Sequence, residues 1–323
     1  MKVSVIGCGA IGGWLTAGLV RAGAEATVLA RGATLAALGR DGLVLEEGGE
    51  ARVYPVSVTE DPADLAGADL LLLGVKAHGL PALAEAIAAA VGPDTLVMPA
   101  VNGLPFWFLQ GFGGPAEGIT LEAVDPGGRL AGLIPAAQIV GNVVHAASSV
   151  AAPGRIRLAK ANRLWLGPVD GRPSPRIAAL AEAFRAGGIP AEETGAIHRE
   201  VWSKLWGNSN MNPLTALARA DTAALLADPQ ARGLVREMMV EMAALGAVIG
   251  LEGFDDPEAR MAETARLGPI RTSMLQDVGA GRHLEIEPIL GALVELAAKL
   301  EFPVPVMAGV CGLARLLDRG LEG

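Results

Sequence analysis

Hydrophobic and polar positions change rhythm once along the chain. Up to about residue 166, short apolar runs alternate with helical stretches, and beyond it nearly every signal is helical. The run at 3–6 predicts a buried strand, 11–21 a helix and 26–30 a second strand. A short helix is expected at 34–38. Segments 43–45 and 52–58 flank Gly48-Gly49 and predict a hairpin. DLLLLGV at 69–75 reads as a buried parallel strand. A helix at 80–91, stopped by Gly92-Pro93, and a strand at 95–101 follow. Further strands are expected around 138–148 and 155–166. This alternation predicts a doubly wound parallel sheet of the Rossmann type.

GPVDGRPSP at 167–175 packs three prolines and two glycines into nine residues and is the best linker candidate. Helices are then expected from Ser174-Pro175 to Gly187, from 196 toward 212, from Asp228-Pro229 to about 249, from Asp256-Pro257, and at 286–300 and 306–317. The expected organisation is a nucleotide-binding domain at 1–168, a linker at 169–175 and an all-helical domain at 176–323.

Chemistry enters at the first strand end. Gly7, Gly9 and Gly12 have G-x-G-x-x-G spacing between a strand and a helix, the context a dinucleotide fingerprint requires. Gly7 permits the tight turn, Gly9 lets backbone approach a pyrophosphate, and Gly12 lets helix and sheet pack closely. Gly7, Cys8, Gly9, Ala10, Ile11 and Gly12 are thus cofactor-binding candidates, with the helix N-terminus facing the phosphates. The same stretch, uncharged from Val3 to Val20 behind Lys2, also has the outline of a leader or anchor. Five glycines in those eighteen residues make a poor membrane helix.

Ligands of open parallel sheets bind beyond the carboxyl ends of the strands. The residues there are the glycine turn, Arg31, Lys76 and Asn102-Gly103. No acidic residue lies between Glu25 and Asp41 to accept a ribose hydroxyl. Arg31 instead suits a 2′-phosphate, which predicts NADP over NAD.

Composition narrows the function classes. The chain has 323 residues, 51% of them hydrophobic, and a net charge of −9. That suits about two soluble domains and disfavours a general nucleic-acid binder. Cys8 and Cys311 fit neither a disulfide framework nor a thiolate metal site, and suit a reducing cytoplasm. The four histidines show no metal spacing, and no nucleophile elbow or P-loop is present.

Two constellations lie in the helical half. In EVWSKLWGNSNMNPLT at 200–215, Lys204, Asn208 and Asn212 are spaced to share one helix face. Three asparagines in five residues are unusual in a helix, although a helix end fraying before Pro213 would also accommodate them. The second is Ser273-Met-Leu-Gln-Asp277 with Arg282-His283-Leu-Glu285-Ile-Glu287, where a carboxylate near a helix start could simply favour the helix dipole.

Together these segments resemble the ketopantoate reductase (2-dehydropantoate 2-reductase) family. The resemblance rests on the GxGxxG, Arg31, Val75-Lys76 and Asn102-Gly103. It extends to W-x-K-L-x-x-N-x-x-x-N-P-L-T-A at 202–216 and S-M-L-Q-D…R-H-x-E-I at 273–286. It implies a Rossmann domain followed by a helical domain like that of 6-phosphogluconate dehydrogenase. It further implies NADPH-dependent reduction of a small 2-oxo acid in pantothenate and coenzyme A synthesis. Lys204 would match the general acid and Glu285 the glutamate that helps hold substrate and cofactor. Asn102, Asn208, Asn212 and Ser273 would match substrate positions, with Lys76 and Asn102 near the nicotinamide. The site is then expected in the cleft between the two domains. No nucleic-acid or membrane partner is expected, and the apolar C-terminal helices suit either core or a homodimer interface.

The chain also departs from the family pattern. Phe106-Trp107-Phe108 and a glycine-rich insertion to about residue 133 suit either a wall for a bulkier acid or simple packing. Leu284 and Glu287 replace a common threonine and aspartate, and Leu290 stands where asparagine is common. A reductase or dehydrogenase of another 2-oxo or hydroxy acid is therefore the alternative, and a non-catalytic NADP-binding regulator a more distant one.

Overall fold

The computed structural model describes residues 1–321. Strand β1 (Lys2–Ile6) buries Val3, Val5 and Ile6. Helix α1 (Ala10–Arg21) lays Trp14, Leu15 and Leu19 into the same core. β2 (Glu25–Leu29), α2 (Gly32–Asp41), β3 (Leu43–Glu47), β4 (Glu50–Tyr54), β5 (Ser57–Thr59), β6 (Leu70–Leu73), α3 (Ala84–Ala90) and β7 (Leu96–Pro99) follow. Strands β5, β2, β1, β6 and β7 form one sheet in that order, every neighbouring pair parallel. The order reverses at β1, so the turn after β1 sits at the switch point where such sheets bind ligands.

The expected hairpin arm at 52–58 does not run unbroken. It divides at Pro55, which has no N–H to give to a ladder. β4 pairs antiparallel with β3, while β5 crosses to the edge of the parallel sheet beside β2. The expected helix at 80–91 also starts late, because Pro81 interrupts its first turn. Two 3₁₀ turns, Ala77–Gly79 and Pro81–Leu83, precede α3.

α4 (Arg129–Leu133), β8 (Val140–Ala152), β9 (Arg155–Pro168), α5 (Pro175–Ala186) and β10 (Ala191–Glu193) come next. β8 and β9 form a long antiparallel hairpin, and β9 also pairs in parallel with β3 and β10. This second sheet was not expected, and it revises the linker. The proline-rich stretch leads into α5 and β10, whose residue Ala191 pairs with Leu164 of β9. The chain divides into two compact units: Met1–Val101, Gln110–Phe112 and Arg129–Glu200, then Asn102–Leu109, Gly113–Gly128 and Val201–Gly323.

The second unit is helical: most of α6 (Ile197–Ala218), whose first turn belongs to the first unit, then α7 (Thr222–Ala227), α8 (Pro229–Val248), α9 (Pro257–Arg266), α10 (Ser273–Gly279), a π-turn at Glu287–Gly291, α11 (Ala292–Lys299) and α12 (Pro305–Arg319). The Asp-Pro starts read from sequence are side-chain caps. Asp228 accepts from the N–H groups of Gln230 and Ala231, and Asp256 from that of Ala259. Glu241 of α8 caps α12 from outside, accepting from Val306 and Met307 at 2.8 Å each. A Rossmann-type parallel sheet followed by an all-helical region is the expected fold class. Among the described residues, no helix is long and apolar enough to cross a membrane.

Candidate functional site

In the first unit the glycine turn has the shape that a dinucleotide needs. Gly7 has φ +94°, and a Cβ there would lie 2.6 Å from the Val75 nitrogen. A Cβ at Gly12 would meet the Gly7 carbonyl and lie 3.0 Å from the Gly74 Cα. Gly9 differs, since the nearest atom to a Cβ there is 3.7 Å away. Two glycines therefore close the turn and the third leaves its backbone approachable. Gly9 is the N-cap of α1, with no side-chain cap and no acid in the first turn, so the leading N–H groups remain for an anion. The residues present fit the pyrophosphate of a dinucleotide.

Cys8 lies inside this turn, and burial pushes its thiol up to about 12. Arg31 is the exposed N-cap residue of α2 just past β2, and its guanidinium makes no ion pair among the described residues. Lys76 follows β6 and is part-buried.

The second unit holds the other predicted residues. Lys204 and Asn208 lie one turn apart on α6. The expected fraying before Pro213 does not occur, for α6 runs on to Ala218. Every residue from Leu205 to Ala216 except Asn208 is buried, and that packing outweighs the hydrogen bond Pro213 forfeits.

Four of the predicted residues are joined in a ring. Asn208 Nδ2 donates to Asn102 Oδ1 at 3.2 Å. Two residues on, Leu104 N–H donates to the Pro288 carbonyl at 2.6 Å. Pro288 belongs to the π-turn that begins two residues after Glu285. Glu285 in turn attracts the Lys204 ammonium. Burial is nevertheless the larger influence on Lys204 and lowers its pKa to about 8, with Glu285 opposing the fall. Gly103 is what lets the ring close. Its φ is +88°, and a Cβ there would overlap the Pro288 carbonyl.

Asn212 and the start of α10, where Ser273 lies, are linked through Thr215 and through Thr272, the one residue here that the sequence did not single out. Thr215 Oγ1 donates to the carbonyl of Met211 at 2.7 Å or to that of Asn212 at 3.1 Å. The Thr215 and Thr272 hydroxyls are 2.7 Å apart, and Thr272 caps α10 by accepting from Leu275 N–H. Ser273 is the exposed first residue of that helix. The signal was present in Thr272, a capping residue directly before an apolar helix start. Glu287 stands in the first turn of the π-turn that leads into α11, as the helix-dipole reading expects, whereas Asp277 lies in the last turn of α10. Its carboxylate takes the Arg282 Nε hydrogen bond at 2.8 Å.

The segment after Gly103 is packed rather than loose. Trp107 and Phe108 are fully buried, and Phe108 stacks on Trp202 with centroids 6.0 Å apart. Glu295 of α11 accepts from the N–H groups of Glu122 and Ala123 at 2.8 and 2.9 Å.

Comparison with known proteins shows the family of the chain. Residues 3–106 match the family described as Ketopantoate reductase PanE/ApbA, and residues 196–318 match its C-terminal counterpart. The 2-dehydropantoate 2-reductase of Mesorhizobium japonicum is 39% identical over 99% of both chains. That of Halobacterium salinarum is 30% identical, also over 99% of both. A solved chain from Ralstonia solanacearum MolK2 superposes with a TM-score of 0.94 at 41% identity, covering 99% of this chain and 98% of that one. A fingerprint turn, a lysine–glutamate pair on the helical unit and two matched family segments lead to one statement: the chain belongs to the ketopantoate reductase family.

Proposed function

We propose that the protein reduces 2-dehydropantoate to pantoate with NADPH, using Lys204 as the general acid. The observation that carries this reading is the part-buried Lys204 under the attraction of Glu285, within a chain whose relatives include 2-dehydropantoate 2-reductases 39% and 30% identical to it. The nicotinamide, when bound, supplies the hydride. Gly7, Gly9, Gly12 and the start of α1 would hold the pyrophosphate. Lys204 stabilises the negative charge growing on the carbonyl oxygen and gives that oxygen a proton, which completes the hydroxyl. Glu285 keeps the lysine protonated until then by opposing the effect of burial. Asn102 and Asn208, already hydrogen-bonded to one another, offer amide groups to the substrate's polar end.

The departures from the family pattern favour the family substrate over a bulkier acid. Leu284 and Leu290 are buried, and Glu287 is occupied by both nitrogens of Arg315 at 2.6 Å. Trp107 and Phe108 are core residues. Leu284, Leu290 and Phe108 bring no polar group, and Glu287 is held by Arg315. NADPH consumption with 2-dehydropantoate against a panel of branched and aromatic 2-oxo acids tests the assignment. 2-Dehydropantoate should have the highest kcat/KM, and a clear preference for another acid would overturn it.

Arg31 is the basis for choosing NADPH over NADH. An exposed guanidinium at the end of β2 pairs well with a 2′-phosphate. Arg31→Ala should raise the KM for NADPH by about 10-fold or more, the loss of one charge-assisted hydrogen-bonded contact, and leave that for NADH nearly unchanged. Equal changes for both cofactors would count against the phosphate assignment.

A further inference from the structure

We propose that the last turn of α12 positions Glu285, with Asp318 as the positioning residue. The proposal rests on the reading of Lys204 and Glu285 given above. Residues 282–285 form neither helix nor strand, so ladder bonds do not hold Glu285 in place. Side chains from two helices hold the segment instead. On one side Asp277 of α10 takes the Arg282 Nε at 2.8 Å, and its carbonyl takes the Arg282 N–H at 2.9 Å. On the other, Asp318 of α12 accepts the Leu284 N–H at 2.7 Å and lies 3.6 Å from His283 Nδ1.

The Leu284 contact lies a single residue from Glu285. Asp318 suits the task because its side chain is only 24% exposed, too little for a freely solvated surface carboxylate. Past Glu285 the same helix acts again. Arg315, one turn before Asp318, grips Glu287 through two nitrogens. Gly291 makes room for that grip, since a Cβ there would come 3.0 Å from Arg315 Nη2. Two α12 side chains at i, i+3 thus bracket Glu285 in sequence, one residue before it and two after. Glu285 is the charged group that acts on Lys204 against burial, so loosening it weakens the lysine's hold on its proton.

The test compares Asp318→Ala, Asp318→Asn and Glu285→Gln in the full-length protein. For each, kcat and kcat/KM are measured from pH 6 to 10 with NADPH and 2-dehydropantoate, together with the melting temperature. Asp318→Ala should lower kcat by about 10-fold, the scale of a small misplacement of a catalytic group. It should also move the alkaline limb of the kcat/KM profile down by about half a unit. Asp318→Asn keeps an oxygen for the Leu284 N–H and should restore most of both. If the alanine variant does not fold, Asp318→Val fills most of the same space, removes the acceptor and gives the same readout. A limb that moves with Glu285→Gln but stays fixed in the Asp318 variants overturns the positioning role alone. A limb that Glu285→Gln itself leaves unmoved overturns the lysine–glutamate reading beneath it.

Discussion

Lys204→Ala should lower kcat for 2-dehydropantoate reduction by about 10²–10⁴-fold, the usual contribution of a positioned general acid, while NADPH still binds. Hydride arriving at a ketone leaves an alkoxide, and among the residues of the Asn102–Glu285 ring only Lys204 carries a positive charge to meet it. Steady-state kinetics with NADPH titration by fluorescence checks both halves, and near-wild-type kcat would end the assignment. The pH dependence follows from the same residue. Reduction needs the protonated form, so wild-type kcat/KM should fall above about pH 8, where Lys204 of the free enzyme gives up its proton. The variant's residual activity should lack that limb. Stability moves the other way. The folded pKa is lowered from 10.5 to about 8, so between these values the unfolded chain holds a proton that the folded one has released. Lys204 therefore makes folding more favourable as pH rises through that window, and its replacement should flatten this part of a stability–pH curve.

Gly103→Ala should damage both stability and turnover. The substitution forces a side chain into φ +88° and drives its Cβ into Pro288. Left-handed backbone costs about 1–2 kcal/mol and overpacking a further 1–3 kcal/mol, so a total of about 2–5 kcal/mol is expected. The distortion is centred on the junction that carries both the Leu104–Pro288 bond and, one residue earlier, the Asn102–Asn208 bond. kcat/KM should therefore fall with the melting temperature. Gly48→Ala is the control: its φ is +59°, but no atom lies within 4 Å of a Cβ there. It should show the conformational cost without the clash or the loss of turnover. If the two variants melt alike, the Pro288 contact does not matter in the way described.

What could be read from the sequence was local. The glycine turn is legible because strand, glycine spacing and helix are consecutive, and each glycine has a steric reason. Lys204 and Asn208 are legible as neighbours because one helical period joins them. Asn102 and Asn208 are 106 residues apart, and no periodicity announces their contact. The Pro288 carbonyl is invisible for the same reason, since a backbone acceptor leaves no signature in residue type. The family pattern supplied Glu285 and Ser273, whereas Thr272 and the Asp318 contact behind them came only from the coordinates. Pro213 misled because a local rule about residues before proline was overridden by burial along α6. Pro55 was legible in principle, as a proline inside a run read as a single strand.

The cysteine in the glycine turn has a consequence for covalent chemistry. Burial raises the Cys8 pKa well above that of an ordinary thiol, so less of it is ionised at pH 7, and the thiolate is the form that attacks electrophiles. A reactive sulfur next to a pyrophosphate site would be a weak point, because alkylation there would block the turn. Here the surroundings that raise the Cys8 pKa blunt that reactivity, although the residue is only part-buried. Cys8 should therefore react with alkylating agents more slowly than an ordinary surface thiol, which labelling of the intact protein followed by mass spectrometry checks.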